Sequence, residues 1–264
     1  MDNNDIFVVL FTCTLRKSIT MERILDSWYS QNLNADMPIV TYGHHGPALL
    51  MFPSAAADYL EYERFYLIDS IKHHIEAGKV KVFSINSINS ESWLNDQIAP
   101  RQKAERHQQY NKYIVEEVYP FIKKSLGDGD EPTIYTSGVS FGALHALNTL
   151  LRKPELFAGT LAMSGVYDLK SYSKGYFDED VYFNSPMDYI PNLTDETLLS
   201  QMRKKKIILY TGSGEYEDPS GSWKMAEALG AKQIPNYVEC WDHTYRHDWP
   251  TWREMLPAAI DKYL

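Results

Sequence analysis

Residues 133–152 read TIYTSGVSFGALHALNTLLR. Thr133–Ser137 is a five-residue run of β-branched, aromatic and small residues, the size of a buried strand, and ALHALNTLLR at 143–152 repeats its leucines at helical spacing. Between them stands Gly138-Val139-Ser140-Phe141-Gly142. A Gly-x-Ser-x-Gly at a strand-to-helix junction is a nucleophile elbow: the serine takes a strained, tight turn, and side chains larger than glycine two residues to either side would collide with neighbouring backbone. The turn lifts the Ser140 hydroxyl clear of the sheet, at a helix N-terminus whose dipole favours developing negative charge. Five common residues in a pattern say little. Their position between a strand and a helix is what makes Ser140 a candidate nucleophile.

Outward from the elbow, short apolar runs alternate with helical patterns. Strands are expected at 37–42, 48–52, 79–84, 133–137, 159–163, 206–210 and 237–240, and helices at about 59–77, 101–125, 141–152, 221–230 and 250–264. This interleaving predicts an α/β fold, a mostly parallel central sheet with helices on both faces. The first two strands, with short turns around 32–36 and 43–46, are expected to form an antiparallel edge. From 167 to 203 Tyr, Asp, Asn and Pro crowd together with little periodicity. That predicts a loop-rich, lid-like insertion after the sixth strand, counting one in residues 1–20, over the carboxyl ends of the strands where ligands bind. No repeat or linker divides the chain, so 1–264 reads as a single domain with 1–20 as an N-terminal extension; a start at Met21 fits equally well.

The composition bounds the function. Hydrophobic residues make up 44% and charged residues 23%, both globular averages. With 26 Lys+Arg against 35 Asp+Glu the net charge is −9, which leaves no broad basic face for phosphates, so no nucleic-acid partner is expected. Cys13 and Cys240, alone and far apart, build neither a disulfide framework nor a zinc ribbon, and a reducing cytoplasm is expected. The apolar run IFVVLFTCTL at 6–15 is too short to span a bilayer, and Asp2 and Asp5 stand where a signal peptide would be basic. Neither membrane insertion nor secretion is expected.

A serine nucleophile needs a base and an orienting acid, in the chain order Ser, Asp or Glu, His for this kind of elbow. Downstream of Ser140 stand His145, His243 and His247. His145, inside the helix after the elbow, cannot reach back and reads as a packed helix residue. His247 opens HDWPTWREML at a helix start, with Pro250 suited to the first turn, and is favoured over His243 as the base. The acid is expected in TGSGEYEDPSGS after the strand 206–210, where Glu215, Glu217 and Asp218 qualify. Asp218 is favoured over Glu217 because the following Pro219 biases it to extended backbone beside the next helix, and Asp168 is a distant alternative. The oxyanion hole is expected to combine the N–H of Phe141 with that of Ser54 or Ala55 in the loop Phe52-Pro53-Ser54-Ala55-Ala56-Ala57, since Pro53 has none.

GVSFG at 138–142, AMSGVYDL at 162–169, YFDEDVYFNSPMDYIPNL at 176–193 and HDWPTWREMLP at 247–257 give residues 21–264 a resemblance to the putative esterase family of α/β-hydrolases, which also contains esterase D, the antigen 85 acyltransferases and enterochelin esterases. The resemblance implies the α/β-hydrolase fold, Ser140 as nucleophile, His247 as base and the acid within Glu217-Asp218. The acid loop departs from the commoner Gly-Glu-x-Asp pattern in having a longer, Gly-rich turn. The expected activity is that of a serine esterase, cleaving a small-molecule carboxylic ester through a Ser-His-Asp/Glu triad and an acyl-enzyme. The alternatives are an acyltransferase using the same acyl-enzyme, and a catalytically silent binding protein on the same fold. No cofactor and no metal is expected: neighbours in sequence such as His44-His45 and His73-His74 are read as pointing apart, and Asp178-Glu179-Asp180 as a solvated loop. Tyr172, Tyr176, Phe177, Tyr182 and Phe183 either wall the substrate or bury the insertion. The substrate and assembly into a homo-oligomer stay open.

Overall fold

The computed structural model describes residues 21–127 and 132–264, so the readings placed on 1–20, Cys13 included, lie outside the described residues. Among the described residues eight strands form one sheet: β1 (Arg23–Ser30), β2 (Ala35–Tyr42), β3 (Ala48–Phe52), β4 (Lys81–Ile85), β5 (Ile134–Val139), β6 (Gly159–Met163), β7 (Lys206–Thr211) and β8 (Tyr237–Cys240). Their order is β1-β2-β4-β3-β5-β6-β7-β8. From β4 through β8 every pair is parallel, while β1–β2 and β2–β4 are antiparallel. The helices are α1 (Glu61–Arg64), α2 (Leu67–Ser70), α3 (Lys72–Glu76), α4 (Pro100–Tyr113), α5 (Tyr119–Leu126), α6 (Phe141–Arg152), α7 (Lys170–Ser173), α8 (Glu179–Asn184), α9 (Pro186–Tyr189), α10 (Glu196–Met202), α11 (Pro219–Ala231) and α12 (Trp249–Tyr263). One π-helical turn, Ile114–Val118, joins α4 to α5.

Parallel strands covered on both faces are apolar throughout, and alternate residues serve opposite cores. In β3, Leu49 and Met51 pack with Val82, Leu161, Ile208 and, from α12, Met255 and Ile260. Ala48, Leu50 and Phe52 face the other way, onto Phe83, Leu147 of α6 and Leu229 of α11. Each fully buried Leu, Ile or Phe among them contributes about 1.5–3 kcal/mol relative to exposure. The two cores clamp the carboxyl ends of β3, β5, β6 and β7 at fixed separations, and the loops leaving those ends carry the candidate site.

Two expectations for the edge are corrected. The 48–52 strand is not an edge strand: β3 lies between β4 and β5, parallel to both, and the turn at 31–34 joins β2 instead to β1. β1 escapes a periodicity reading because its residues are largely solvent-facing on both sides, with Ile24, Leu25 and Tyr29 all exposed. The helix expected at 59–77 is three short ones; left-handed Tyr66 (φ 61°) breaks it after Phe65, whose ring stacks on Trp249 at 4.4 Å. The insertion after β6 is more helical than its composition suggests. Helices α7 to α10 have four to seven residues, too short to show a period, and Asp178 and Asp195 cap two of them. Its aromatics divide: Tyr182 and Phe183 pack onto the core under α6, Tyr172 sets its edge against Phe141 at 5.1 Å, and Phe177 is exposed. Among the described residues no helix is long and apolar enough to cross a membrane.

Candidate active site

Ser140 sits at the junction of β5 and α6 with φ 55° and ψ −120°, a strained conformation for a residue with a Cβ. The surroundings force it. A Cβ on Gly138 would lie 2.4 Å from the carbonyl of Gly142, and one on Gly142 would lie 2.1 Å from the Phe52 oxygen and 2.7 Å from that of Pro53. The turn is thus as tight as the Gly-x-Ser-x-Gly pattern requires, and it packs directly on the backbone leaving β3. The Ser140 N–H is fixed to the Met163 carbonyl at 2.9 Å.

His247 Nε2 lies 3.1 Å from Ser140 Oγ, and His247 Nδ1 lies 3.3 Å from Glu217 Oε2. Glu217 is buried in its side chain, 2% exposed, while the His247 side chain keeps 26%. The structure therefore brings together three of the expected residues and leaves the favoured acid outside. Asp218 is exposed, accepts from Ser220 N at 3.0 Å as the cap of α11, and is held below the usual carboxylate range by those hydrogen bonds. Asp218 and Pro219 mark the start of α11, and the carboxylate that meets His247 is that of Glu217. Glu215 pairs with Arg246 at 3.2 Å, Asp168 is tied to Lys170, and His243 is exposed.

The Gly-rich acid loop has a geometric purpose. It runs alongside the histidine loop as a continuation of the β7–β8 pairing: Gly214 N donates to Tyr245 O at 2.9 Å and His247 N to Glu215 O at 3.0 Å. A Cβ on Gly212 or Gly214 would lie 2.2 or 2.6 Å from backbone oxygens of that loop. The two loops close up only because those positions are glycine.

Two further residues complete the carboxylate's surroundings, and neither is singled out by the sequence reading. Trp252 Nε1, which can only donate, bonds Ser164 Oγ at 2.9 Å, so the Ser164 hydroxyl donates onward to Glu217 Oε1. Gly212 N also reaches that oxygen, at 3.4 Å. The Trp252 ring meets the His247 ring edge to face at 5.1 Å. Ser164 directly follows β6, the neighbour of the elbow strand, with φ 51°. The signal was a serine at a strand's carboxyl end beside the elbow, in the SG of AMSGVYDL.

Of the expected anion-stabilising donors, the N–H groups of Phe141 and Ala55 have no hydrogen-bond partner among the described residues. Ser54 is unsuited: its N–H donates to Glu61 Oε2 at 2.7 Å and its hydroxyl to Glu61 Oε1 at 2.6 Å. Glu61 is itself buried, which pushes its carboxyl up, against the pull of those two bonds. The His73-His74 expectation also needs correcting. The two rings do not point apart but lie 3.7 Å from each other, and with Asp261 they form a group of three potential ligands within 4.8 Å. His74 Nε2 and Lys79 Nζ share Asp261 Oδ1, at 2.9 and 3.2 Å.

Solved structures share this architecture. A ferulic acid esterase superposes with a TM-score of 0.72 at 18% identity, covering 92% of this chain and 97% of its own. An S-formylglutathione hydrolase from Agrobacterium tumefaciens gives 0.70 at 14% identity, covering 92% and 94%. FphF, a fluorophosphonate-binding serine hydrolase of Staphylococcus aureus, gives 0.67 at 15%, covering 92% and 98%. No curated protein matches the sequence. At such identities the likeness establishes the α/β-hydrolase fold. The family model described as "Putative esterase" matches residues 71–263, a span that contains the elbow, the acid loop and the histidine loop. The chain belongs to that esterase family, a family of carboxylic ester hydrolases.

Proposed function

We propose that the protein hydrolyses a carboxylic ester through an acyl-enzyme on Ser140, with His247 as general base and acid and Glu217 as the carboxylate that orients it. The observation that carries this reading is the unbroken chain from Glu217 Oε2 to His247 Nδ1 (3.3 Å) and from His247 Nε2 to Ser140 Oγ (3.1 Å). Glu217, accepting from Nδ1–H, leaves the Nε2 lone pair for the serine proton. Ser140 Oγ attacks the ester carbonyl carbon while its proton passes to Nε2. The carbonyl oxygen takes the negative charge and is held by the N–H groups of Phe141 and Ala55, at the N-terminus of α6. Collapse of the adduct expels the alcohol, which carries away the proton from Nε2. Water, deprotonated by His247, then attacks the acyl carbon, and His247 returns that proton to Ser140 Oγ as the adduct collapses and the carboxylic acid leaves.

Nothing in these steps calls for a metal or a cofactor. Ferulic acid esterases and S-formylglutathione hydrolases among the structural neighbours make ferulate esters and thioesters the first natural-type substrates to try, with p-nitrophenyl esters as the general probe. The test is hydrolysis of p-nitrophenyl acetate and butyrate in EDTA by the wild type and by Ser140→Ala. The proposal requires turnover by the first and a loss of several orders of magnitude in the second. Equal activity in both proteins would refute it.

A further inference from the structure

The buried polar groups that the proposed chemistry leaves unused gather behind the anion-stabilising loop. Trp93 Nε1 donates to His107 Nδ1 at 2.7 Å. Tryptophan only donates, so His107 accepts at Nδ1 and carries its hydrogen on Nε2. At the other end, the Ala55 carbonyl only accepts, and Asn89 Nδ2 reaches it at 2.6 Å. The Asn89 amide is thereby oriented, its oxygen turned to His145 Nε2 at 2.8 Å, and His145 must donate there and keep Nδ1 as a lone pair. Both tautomers follow from fixed partners. His107 and His145 meet edge to face at 4.6 Å, and His107 Nε2 and His145 Nδ1, one donor and one acceptor, are the members of the cluster without a hydrogen-bond partner among the described residues. Burial drives His107 well below its ordinary value and His145 down to about 3, so both rings are neutral.

This cluster ends on the loop that matters. In the 54–55 turn, Ser54 N and Oγ are held by Glu61, the Ser54 carbonyl accepts from Ala57 N at 3.1 Å, and the Ala55 carbonyl accepts from Asn89 and, at 3.4 Å, from Ser87 Oγ. The one polar group left over is the Ala55 N–H. Ala55 adopts φ +31°, a conformation that persists only where the surroundings impose it. The His145 ring also stacks on Phe52 at 6.0 Å and tilts against Phe141 at 5.6 Å, so it touches the roots of both candidate donors.

We propose that His145 is a positioning residue of the oxyanion hole: acting through Asn89, it holds the Ala55 peptide in its strained turn with the N–H free for the developing oxyanion. The inference rests on the proposed acyl-enzyme reading, and it converts a buried helix histidine into part of the catalytic scaffold. A donor misplaced by a fraction of an ångström loses most of its effect on an oxyanion, and removing one such donor costs about 10²–10³ in kcat. Loss of the tether should cost less, about 10–100-fold.

The test uses His145→Phe, Asn89→Ala and His145→Gln, read against wild type and Ser140→Ala. Expected for the first two are a 10–100-fold fall in kcat per titrated site, KM within about threefold, and a matching loss of affinity for a trifluoromethyl ketone, whose adduct with serine carries an oxyanion. Glutamine, which can donate to Asn89, should recover most of both. Unchanged kcat and ketone affinity in folded His145→Phe would overturn the proposal, as would a fall in kcat with the ketone binding as before. Long-range ¹H–¹⁵N spectra of histidine-labelled wild type supply a readout independent of turnover. Protons on Nε2 of both His107 and His145 from pH 5 to 8 support the relay, and any other tautomer refutes it. If instead Ser140→Ala retains full activity, the acyl-enzyme reading has failed while the tautomer result still stands by itself.

Discussion

Changing Glu217 to glutamine alters one atom and should reverse the histidine. The Oε1 side of the carboxylate faces two donors, the Ser164 hydroxyl, which is committed by Trp252, and Gly212 N. A glutamine must keep its oxygen on that side, so its NH₂ turns to His247 Nδ1. That amine can only donate, which pushes the imidazole hydrogen to Nε2, the nitrogen that has to accept the Ser140 proton. The wrong tautomer in an otherwise intact serine triad costs about 10⁴ in kcat, or about 5 kcal/mol of barrier. Asp218→Asn keeps an oxygen for Ser220 N, so its kcat should stay within about twofold and its stability within about 0.5 kcal/mol. The assay is steady-state p-nitrophenyl acetate hydrolysis with sites counted by titration. Collapse in Asp218→Asn with Glu217→Gln spared would overturn the choice of Glu217, and survival of both would remove this pair from the mechanism and leave Asp168 and Glu215 as candidates.

The Ser140→Ala, His247→Ala and double variants should lose similar amounts of kcat, because nucleophile and base act as one unit; additive losses in a mutant cycle would contradict this. Ser164→Ala strips a bond from Glu217 and leaves Trp252 Nε1 unpartnered, so kcat should fall by about tenfold and the urea midpoint should report a loss of about 1–3 kcal/mol; no change in either would discount the network. Acid should destabilise the fold through His145 and His107. Both folded values lie below those of the unfolded chain, so the unfolded state binds more protons and stability falls as pH drops below about 6.5, for His145 down to about 3. Going from neutrality to pH 5 should cost about 2 kcal/mol through His145, and His145→Gln should remove that share; equal acid sensitivity in that variant would show that other groups carry the effect.

How far the sequence carries the structure depends on whether a feature is written locally. The elbow is local: glycines at 138 and 142 relieve clashes with backbone within a few ångströms, so pattern and geometry coincide. The place of His247 was legible because Pro250 marks the start of α12 beside it. Which carboxylate faces it was not, because Glu217 and Asp218 are adjacent. Which one turns inward depends on Tyr216 taking φ 64° and on the zipper to residues 242–247, both outside local propensity. Strand order was harder still. β4 inserts between β2 and β3 across about 30 residues, and nothing in the 48–52 run distinguishes a central strand from an edge one. Asn89, Ser164 and Trp252 were given no role of their own because their importance lies in partners 34, 53 and 88 residues away.

An acyl group that passes through Ser140 can be trapped there during turnover. Wild-type protein, mixed with excess p-nitrophenyl ester and quenched in acid during turnover, should show a burst approaching one p-nitrophenolate per chain. Intact mass should rise by one acyl group, and digestion should place that group on the peptide containing Ser140. Ester cleavage with no burst and no acylated peptide, or an acyl group on any other residue in protein that turns over normally, would contradict the account.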